Sequence, residues 1–223
     1  MPASGRVAGL VLAAGGSRRL GQPKQLLPYG DATLLDHTLG VARACGFDQL
    51  VCVLGGGADR VRDEVDLGGV EVVENRAFGT GCSSSIAAAL GALDPRADVL
   101  VLMLGDQPGV TPATVAALLA GRGRAPLAAC LYEDGRGHPL AFARSTIADL
   151  AALHGDKGVW KLMDRRAAEV ADVPVAGPIP RDVDTWDDYS AVLAARGSQR
   201  TLSRNSPGAA ANARSMASRP SLK

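Results

Sequence analysis

The chain has 223 residues, of which 47% are apolar, 21% charged and 4% aromatic. That suits one domain of the larger single-core kind, with an interior built from Ala, Val and Leu rather than rings. A formal charge of +1 excludes a general attraction to nucleic acid or an anionic membrane, so any phosphate-binding charge must be local.

Val7–Ala13 (VAGLVLA) is a short apolar run ending at glycines, the pattern of a buried parallel strand. Thr33–Cys45 follows as a helix carrying Leu34, Leu35, Leu39, Val41 and Ala42. Gln49–Leu54, closed by Gly55–Gly57, predicts a second strand, and Val70–Glu74 a third. Ser84–Leu93 is an alanine-rich helix with Ile86 and Leu90, and Asp98–Leu104 (DVLVLML) is the most hydrophobic strand. Strands alternating with helices imply right-handed crossovers and an α/β fold, its mostly parallel sheet covered on both faces. Thr111 caps a helix over Thr111–Ala120 with Pro112 at its first position. Leu127–Tyr132 and His138–Phe142 pair as strands around the turn Glu133–Gly137, and Ser145–Leu153 and Trp186–Arg196 are the remaining helices.

After Gly197 the composition turns to Ser, Ala, Arg and Asn without apolar periodicity. Residues 1–197 therefore read as the folded domain, and 198–223 as a disordered tail. Cys45, Cys52, Cys82 and Cys130 are widely spaced and form no CxxC pair, which speaks against a zinc site or a disulfide framework. Reduced, mostly buried thiols in a cytoplasmic protein are expected. Val7–Ala14 is too short for a membrane span, and no cleavable leader pattern precedes it.

The first turn comes straight off a strand. Gly15 and Gly16 permit close backbone approach, and Arg18, Arg19 and Lys24 crowd three cations into seven positions. A triphosphate needs this combination of backbone donors and charge-assisted contacts. The sequence carries neither GxxxxGK[ST] nor GxGxxG. At the carboxyl end of Asp98–Leu104 stands Gly105-Asp106-Gln107-Pro108, and ligands of parallel sheets bind outside the carboxyl ends of the strands. Asp106 thus faces the glycine turn and is placed to hold Mg²⁺, an ion bound by one or two carboxylates plus substrate phosphates. A second acidic cluster runs Arg181-Asp182-Val183-Asp184-Thr185-Trp186-Asp187-Asp188. Asp187 and Asp188 fall in a first helical turn, where the helix dipole favours them. Asp182 and Asp184 alternate in an extended stretch, so only one is expected to face the crevice, and Asp184 is taken as that one.

LAAG-x-S-x-R-x-G-x-PK, the GDQP turn and D-V-D-T together resemble the MobA-like nucleotidyltransferases, and among them the molybdenum cofactor cytidylyltransferases, from about Val7 to Arg196. The resemblance implies a Rossmann-like α/β domain of the nucleotide-diphospho-sugar transferase type, a Mg²⁺-dependent reaction and a CTP or GTP donor. It makes Leu12, Ala13, Ala14, Gly15, Gly16, Arg18, Arg19 and Lys24 nucleotide-binding. Arg19, Lys24 and Asp106 become catalytic, and Asp106 and Asp184 metal ligands. Guanylyltransferases of the family carry LAGG at the first turn and cytidylyltransferases LAAG, as here. Asn75–Ile86 (NRAFGTGCSSSI) resembles the cytidylyl pattern, with Gly81, Ser84 and Ser85 in register. Cys82 beside them reads as packing rather than a nucleophile, for no base is evident next to it.

On the acceptor side, Gly137-His138-Pro139-Leu140-Ala141-Phe142 resembles the segment near the pterin, and Gly155-Asp156-Lys157-Gly158 a GDxGAR loop. His138, Pro139, Asp156 and Lys157 would then touch a phosphorylated pterin acceptor. Val159 and Trp160 replace the usual Ala-Arg, which removes a bidentate phosphate donor. Four alternatives stand beside CMP transfer to molybdopterin. Pro23-Lys24-Gln25 and Leu35-Asp36-His37-Thr38 resemble methylerythritol phosphate cytidylyltransferases, which lack the GDQP and D-V-D-T elements. A guanylyltransferase using GTP is opposed by the first turn. A non-catalytic accessory handing cofactor to a molybdenum hydroxylase is opposed by the retained Lys24, Asp106 and Asp184. A nicotinamide-dependent reductase of a heteroaromatic compound is opposed by the missing GxGxxG.

Overall fold

The computed structural model describes the backbone of residues 5–205 and the side chains of 5–197. Its sheet has seven strands, here numbered in chain order with a two-stranded ribbon. They are β1 (Val7–Ala13), the ribbon strands β2 (Pro28–Tyr29) and β3 (Ala32–Thr33), β4 (Gln49–Leu54), β5 (Glu71–Glu74), β6 (Val99–Leu104), β7 (Leu127–Tyr132), β8 (Gly135–Ala143) and β9 (Val170–Pro174). The helices are α1 (Leu34–Ala44), α2 (Ala58–Glu64), α3 (Cys82–Leu90), α4 (Pro112–Arg122), α5 (Ile147–Ala151), α6 (Gly158–Arg165) and α7 (Trp186–Asn205).

The strand order is β5-β4-β1-β6-β8-β7-β9. β1 pairs in parallel with β4 and β6, β4 with β5, and β7 with β9, whereas β8 runs antiparallel between β6 and β7. The fold is the expected mostly parallel, Rossmann-like α/β sheet with helices on both faces. Alternation along β1 shows why both faces are covered. Ala8, Leu10 and Leu12 pack with Ile86 of α3, Leu150 of α5 and Leu162 of α6. Val11 and Ala13 point the other way, against Leu35 and Leu39 of α1, Val61 of α2 and Val115 of α4. With side chains buried on both sides the strand reads as a continuous apolar run. A third, smaller cluster joins Leu20, Leu27, Tyr29 and Leu34 to Val183 and to Val192 of α7.

Most elements lie where the periodicity placed them. Thr33 caps α1 in a capping box with Asp36, and Thr111 caps α4 with Pro112 in the first turn. The hairpin turn is shorter than expected: β8 begins at Gly135 because the β7–β8 register shifts at Ala129/Cys130. α3 starts at Cys82 rather than Ser84. α2, α6 and β9 were not anticipated; β9 is half-exposed, with Val173 its one buried side chain, so no apolar run marks it. The expected boundary after Gly197 falls inside α7, which continues to Asn205. The remainder of the expected tail, 206–223, lies outside the described residues. All four cysteines are free, and among the described residues no helix is long and apolar enough to cross a membrane.

Candidate active site

Register aligns the carboxyl ends of three strands. Ala13 of β1 lies opposite Leu54 of β4, and Leu12 opposite Leu104 of β6. Above this edge opens a cavity of about 420 Å³ lined by Leu12–Gly15, Lys24, Gln25, Asp106, Asp182 and Asp184. The turn after β1 is held from below. Gln25, 2% exposed, donates its Nε2 to Ala13 O at 2.5 Å and Gly15 O at 3.2 Å. The Ser17 hydroxyl accepts from the Lys24 backbone N–H at 2.9 Å. Gly16 and Gly56 pass so closely that a Cβ on Gly56 would stand 2.8 Å from Gly16 Cα. This is the close approach for which the loop needs glycine.

The Lys24 ammonium is the hub. It pairs with Asp106 Oδ2 and, at 2.8 Å, with Asp184 Oδ1, while Arg19 Nη2 holds Asp184 Oδ2 at 2.7 Å. Exposure of the Lys24 and Asp106 side chains is only 12% and 17%; that of Arg19 is 64%, on the rim. Burial alone would lower the pKa of Lys24, but Asp106 and then Asp184 outweigh it, so the ammonium is held above its usual range. Burial pulls Asp184 upward and the contacts with Lys24 and Arg19 pull it further down, so it stays ionised. Asp106 and Asp184 thus converge on one cation from elements far apart in sequence. The chain is tied there by a backbone bond from Val183 N to Asp106 O, 3.1 Å.

Asp182 corrects an expectation. Both Asp182 and Asp184 line the cavity. Positions two apart in an extended chain share a face, and Val183 between them points the opposite way, fully buried under α7. Partial burial, then the charge of Asp106, push Asp182 up to about 6. Asp187 and Asp188 lie in the first turn of α7 as expected, and the Asp188 carboxylate accepts from Thr185 N at 2.9 Å.

A second cavity of about 270 Å³ adjoins the first, sharing Cys82, Leu104, Asp156 and Asp182 with it. His138 and Trp160 line it, meeting edge to face with ring centroids 5.4 Å apart. Burial pushes His138 down to about 4, so its ring is neutral. Burial, then Asp156 and Asp106, push the Cys82 thiol up to about 11, which agrees with packing rather than nucleophilic use.

The other residues singled out in the sequence fall differently. Ser85 lines the first cavity and Asp156 both. Gly81 and Ser84 line neither. Gly81 has φ +114° and touches the Gly155–Asp156 backbone, and the Ser84 and Ser85 hydroxyls accept from Asn75 Nδ2 at 2.8 and 2.9 Å. The small hydroxyls therefore fasten the start of α3. Arg18 and Gly16 lie on an adjacent groove with Phe78. Pro139 is buried in β8, and Lys157 is exposed at the start of α6, in neither cavity. Gln25, Phe78, Gln107 and Asp182 were missed. Gln25 sits beside Lys24 in a quoted motif and Gln107 beside Asp106, so adjacency was the signal available.

As for metal, Asp106 and Asp184 are hard oxygen donors that already converge on one cation, which suits a divalent ion completed by phosphates and water. Among the described residues no group of three or more His, Cys, Asp or Glu is placed to hold one by itself.

The chain resembles several known proteins. The chain is 32% identical over 163 residues to nicotine blue oxidoreductase of Paenarthrobacter nicotinovorans, covering 68% of this chain and 78% of that protein. It is 38% identical over 115 residues to the bifunctional protein GlmU of Cellvibrio japonicus, spanning only 25% of that protein's length. Among solved structures, the Mycobacterium sp. strain JC1 homologue of Rv0371c is 52% identical with a TM-score of 0.80, over 85% of this chain and 96% of that one. Rv0371c of Mycobacterium tuberculosis H37Rv, in complex with manganese, is 48% identical with a TM-score of 0.75, over 84% and 98%. The model of the MobA-like NTP transferase domain matches residues 9–170. The chain belongs to the MobA-like NTP transferase family.

Proposed function

We propose that the protein transfers CMP from CTP to the phosphate of a molybdopterin-type acceptor, releasing pyrophosphate. The observation that carries this reading is the convergence of Lys24, Asp106 and Asp184 over the turn Ala13–Gly16. The Ala13-Ala14 pair is the feature that favours cytidine over guanine. An acceptor phosphate oxygen attacks the α-phosphorus in line, a P–O bond forms, and the bond to the β-phosphate oxygen breaks with its electron pair leaving on pyrophosphate. The attacking phosphate is already ionised, so the chain's residues contribute positioning and charge neutralisation rather than a strong base. Lys24 and Arg19 face the leaving pyrophosphate and absorb its developing charge. Asp106 and Asp184 would hold a divalent ion, Mg²⁺ in our reading; when bound, it neutralises phosphate charge. The related Rv0371c was solved in complex with manganese, which supports use of a divalent ion. The second cavity, lined by His138 and Trp160 beside the acids, receives the acceptor.

Pyrophosphate release, measured with each nucleoside triphosphate against molybdopterin and against methylerythritol phosphate, tests the reading. CTP with molybdopterin is expected to be the productive pair, and Asp106→Ala to abolish release while the fold survives. Release from no pair would refute transfer. The identity to nicotine blue oxidoreductase favours a second reading, nicotinamide-dependent reduction of a heteroaromatic compound. Oxidation of NADH or NADPH, followed by absorbance, separates the two.

A further inference from the structure

We infer that Lys24 is an exchangeable counter-ion: without nucleotide its ammonium bridges Asp106 and Asp184 and keeps a divalent ion off them, and the phosphates of a bound nucleoside triphosphate draw it along Gly15 and open the acids to the ion. This deepens the reading of the first cavity as the donor site and rests on it.

Occupancy is the first observation. Lys24 Nζ bonds Asp106 Oδ2 and, at 2.8 Å, Asp184 Oδ1, and Arg19 Nη2 takes Asp184 Oδ2 at 2.7 Å. Both oxygens of Asp184 and one of Asp106 are therefore engaged by the chain's own cations. An ammonium only donates, so it shares no bond with a metal ion and competes with it for the same carboxylates.

Charge is the second. Two carboxylates against one lysine and one arginine make a neutral set. A divalent ion added with the ammonium in place would leave two positive charges in excess. The side chains of Lys24 and Asp106 are only 12% and 17% exposed, so water screens that excess poorly. The same ion exchanged for the ammonium leaves an excess of one, which the phosphates beside it neutralise.

The route is the third. The backbone of Lys24 is fixed, for its N–H donates to Ser17 Oγ at 2.9 Å and its carbonyl accepts from Leu27 N at 3.1 Å. The flexible four-carbon stem is the part left to move. That stem runs past the glycine turn: a Cβ built on Gly15 would stand 3.6 Å from Lys24 Cε. Gly15, Lys24, Asp106 and Asp184 line one cavity of about 420 Å³. Rotation of the stem within it carries the ammonium from the acids to the turn, with no backbone shift.

The test compares the full-length wild type with Lys24→Met in two separate titrations at constant pH. One adds Mn²⁺ alone, followed by the electron paramagnetic resonance of free Mn²⁺; the other adds CTP alone in EDTA, followed by calorimetry. Lys24→Met is expected to bind Mn²⁺ about tenfold or more tighter than wild type, and CTP about tenfold or more weaker. The opposite signs are the signature, since a damaged fold weakens both. Because the variant could misfold, a second measurement uses wild-type crystals grown in EDTA with and without CTP. Lys24 Nζ is expected between Asp106 and Asp184 without nucleotide and against phosphate oxygens with it. Mn²⁺ affinity unchanged or lowered in a folded Lys24→Met, CTP affinity unchanged, or an ammonium still bridging the acids in the CTP complex would overturn the inference. Failure of the exchange with pyrophosphate release from CTP intact would leave the transfer reading standing; exchange without release from any pair would refute transfer and leave this one.

Discussion

Replacing Lys24 with methionine keeps most of the side chain's volume and removes the ammonium on which Asp106 and Asp184 converge. Stranding one member of a buried ion pair costs about 3–5 kcal/mol. Here the side chains of Lys24 and Asp106 retain 12% and 17% exposure, and Arg19 still neutralises Asp184. Water in the cavity further screens Asp106, so a loss of about 2–3 kcal/mol is expected. For a chain of this length each kcal/mol moves the melting temperature by about 2–4 °C, which puts the drop at roughly 5–10 °C. The assay is thermal and urea unfolding at pH 7 in metal-free buffer, on Lys24→Met, Asp106→Asn and the double variant. If the cost is the unpaired carboxylate, the double variant recovers about half or more of the loss, because the neutral amide that replaces Asp106 needs no counter-charge. Excess Mn²⁺ is expected to raise the melting temperature of Lys24→Met more than that of the wild type, since both carboxylates are then free to bind it. A Lys24→Met protein that melts within a degree of wild type, or single losses that simply add in the double variant, would refute the reasoning.

Three further outcomes follow from particular contacts. Gly81→Ala is expected to lose about 1–3 kcal/mol in urea unfolding, because φ is +114° and the new Cβ would stand 2.8 Å from the Gly155 carbonyl carbon; unchanged stability would mean the α3 and α6 loops do not touch. Asn75→Ala removes donors to Ser84 and Ser85 and the acceptor for Ala77 N–H, and should cost about 2–3 kcal/mol, checked by the same method. His138 is held neutral in the fold, with a pKa of about 4 against about 6.5 unfolded. The unfolded chain therefore binds the extra proton, so this residue's contribution is neutral above about pH 6.5 and destabilising as pH falls from there towards 4. His138→Asn is expected to flatten the stability–pH slope in that window, and an unchanged slope would count against the burial.

The legibility of the sequence tracked how local each cause was. The strands of the parallel half were visible because two buried faces make continuous apolar runs, as in Val7–Ala13 and Val99–Leu104. Thr111 and the acids Asp187 and Asp188 in the first turn of α7 were readable because caps and helix dipoles act within one turn. β9 was invisible because its pairing with β7 comes from sheet position, not from an apolar pattern of its own. The turn Ala13–Gly16 with Lys24, and Asp106 at the end of β6, were readable as candidates because their chemistry and their place at strand ends are local properties.

Alone, then, the sequence determined the alternating α/β order, the glycine turn with its cations and the acid at a strand's carboxyl end. Tertiary structure alone decided which acids meet Lys24. Val183 had to find its place under α7 and bond its N–H to Asp106 O before Asp182 and Asp184 could both face the cavity. It also decided that Arg136 is spent on Asp172 and that Gln107 Oε1 is left unpartnered. Such pairings depend on contacts between residues tens of positions apart, which short-range spacing does not encode.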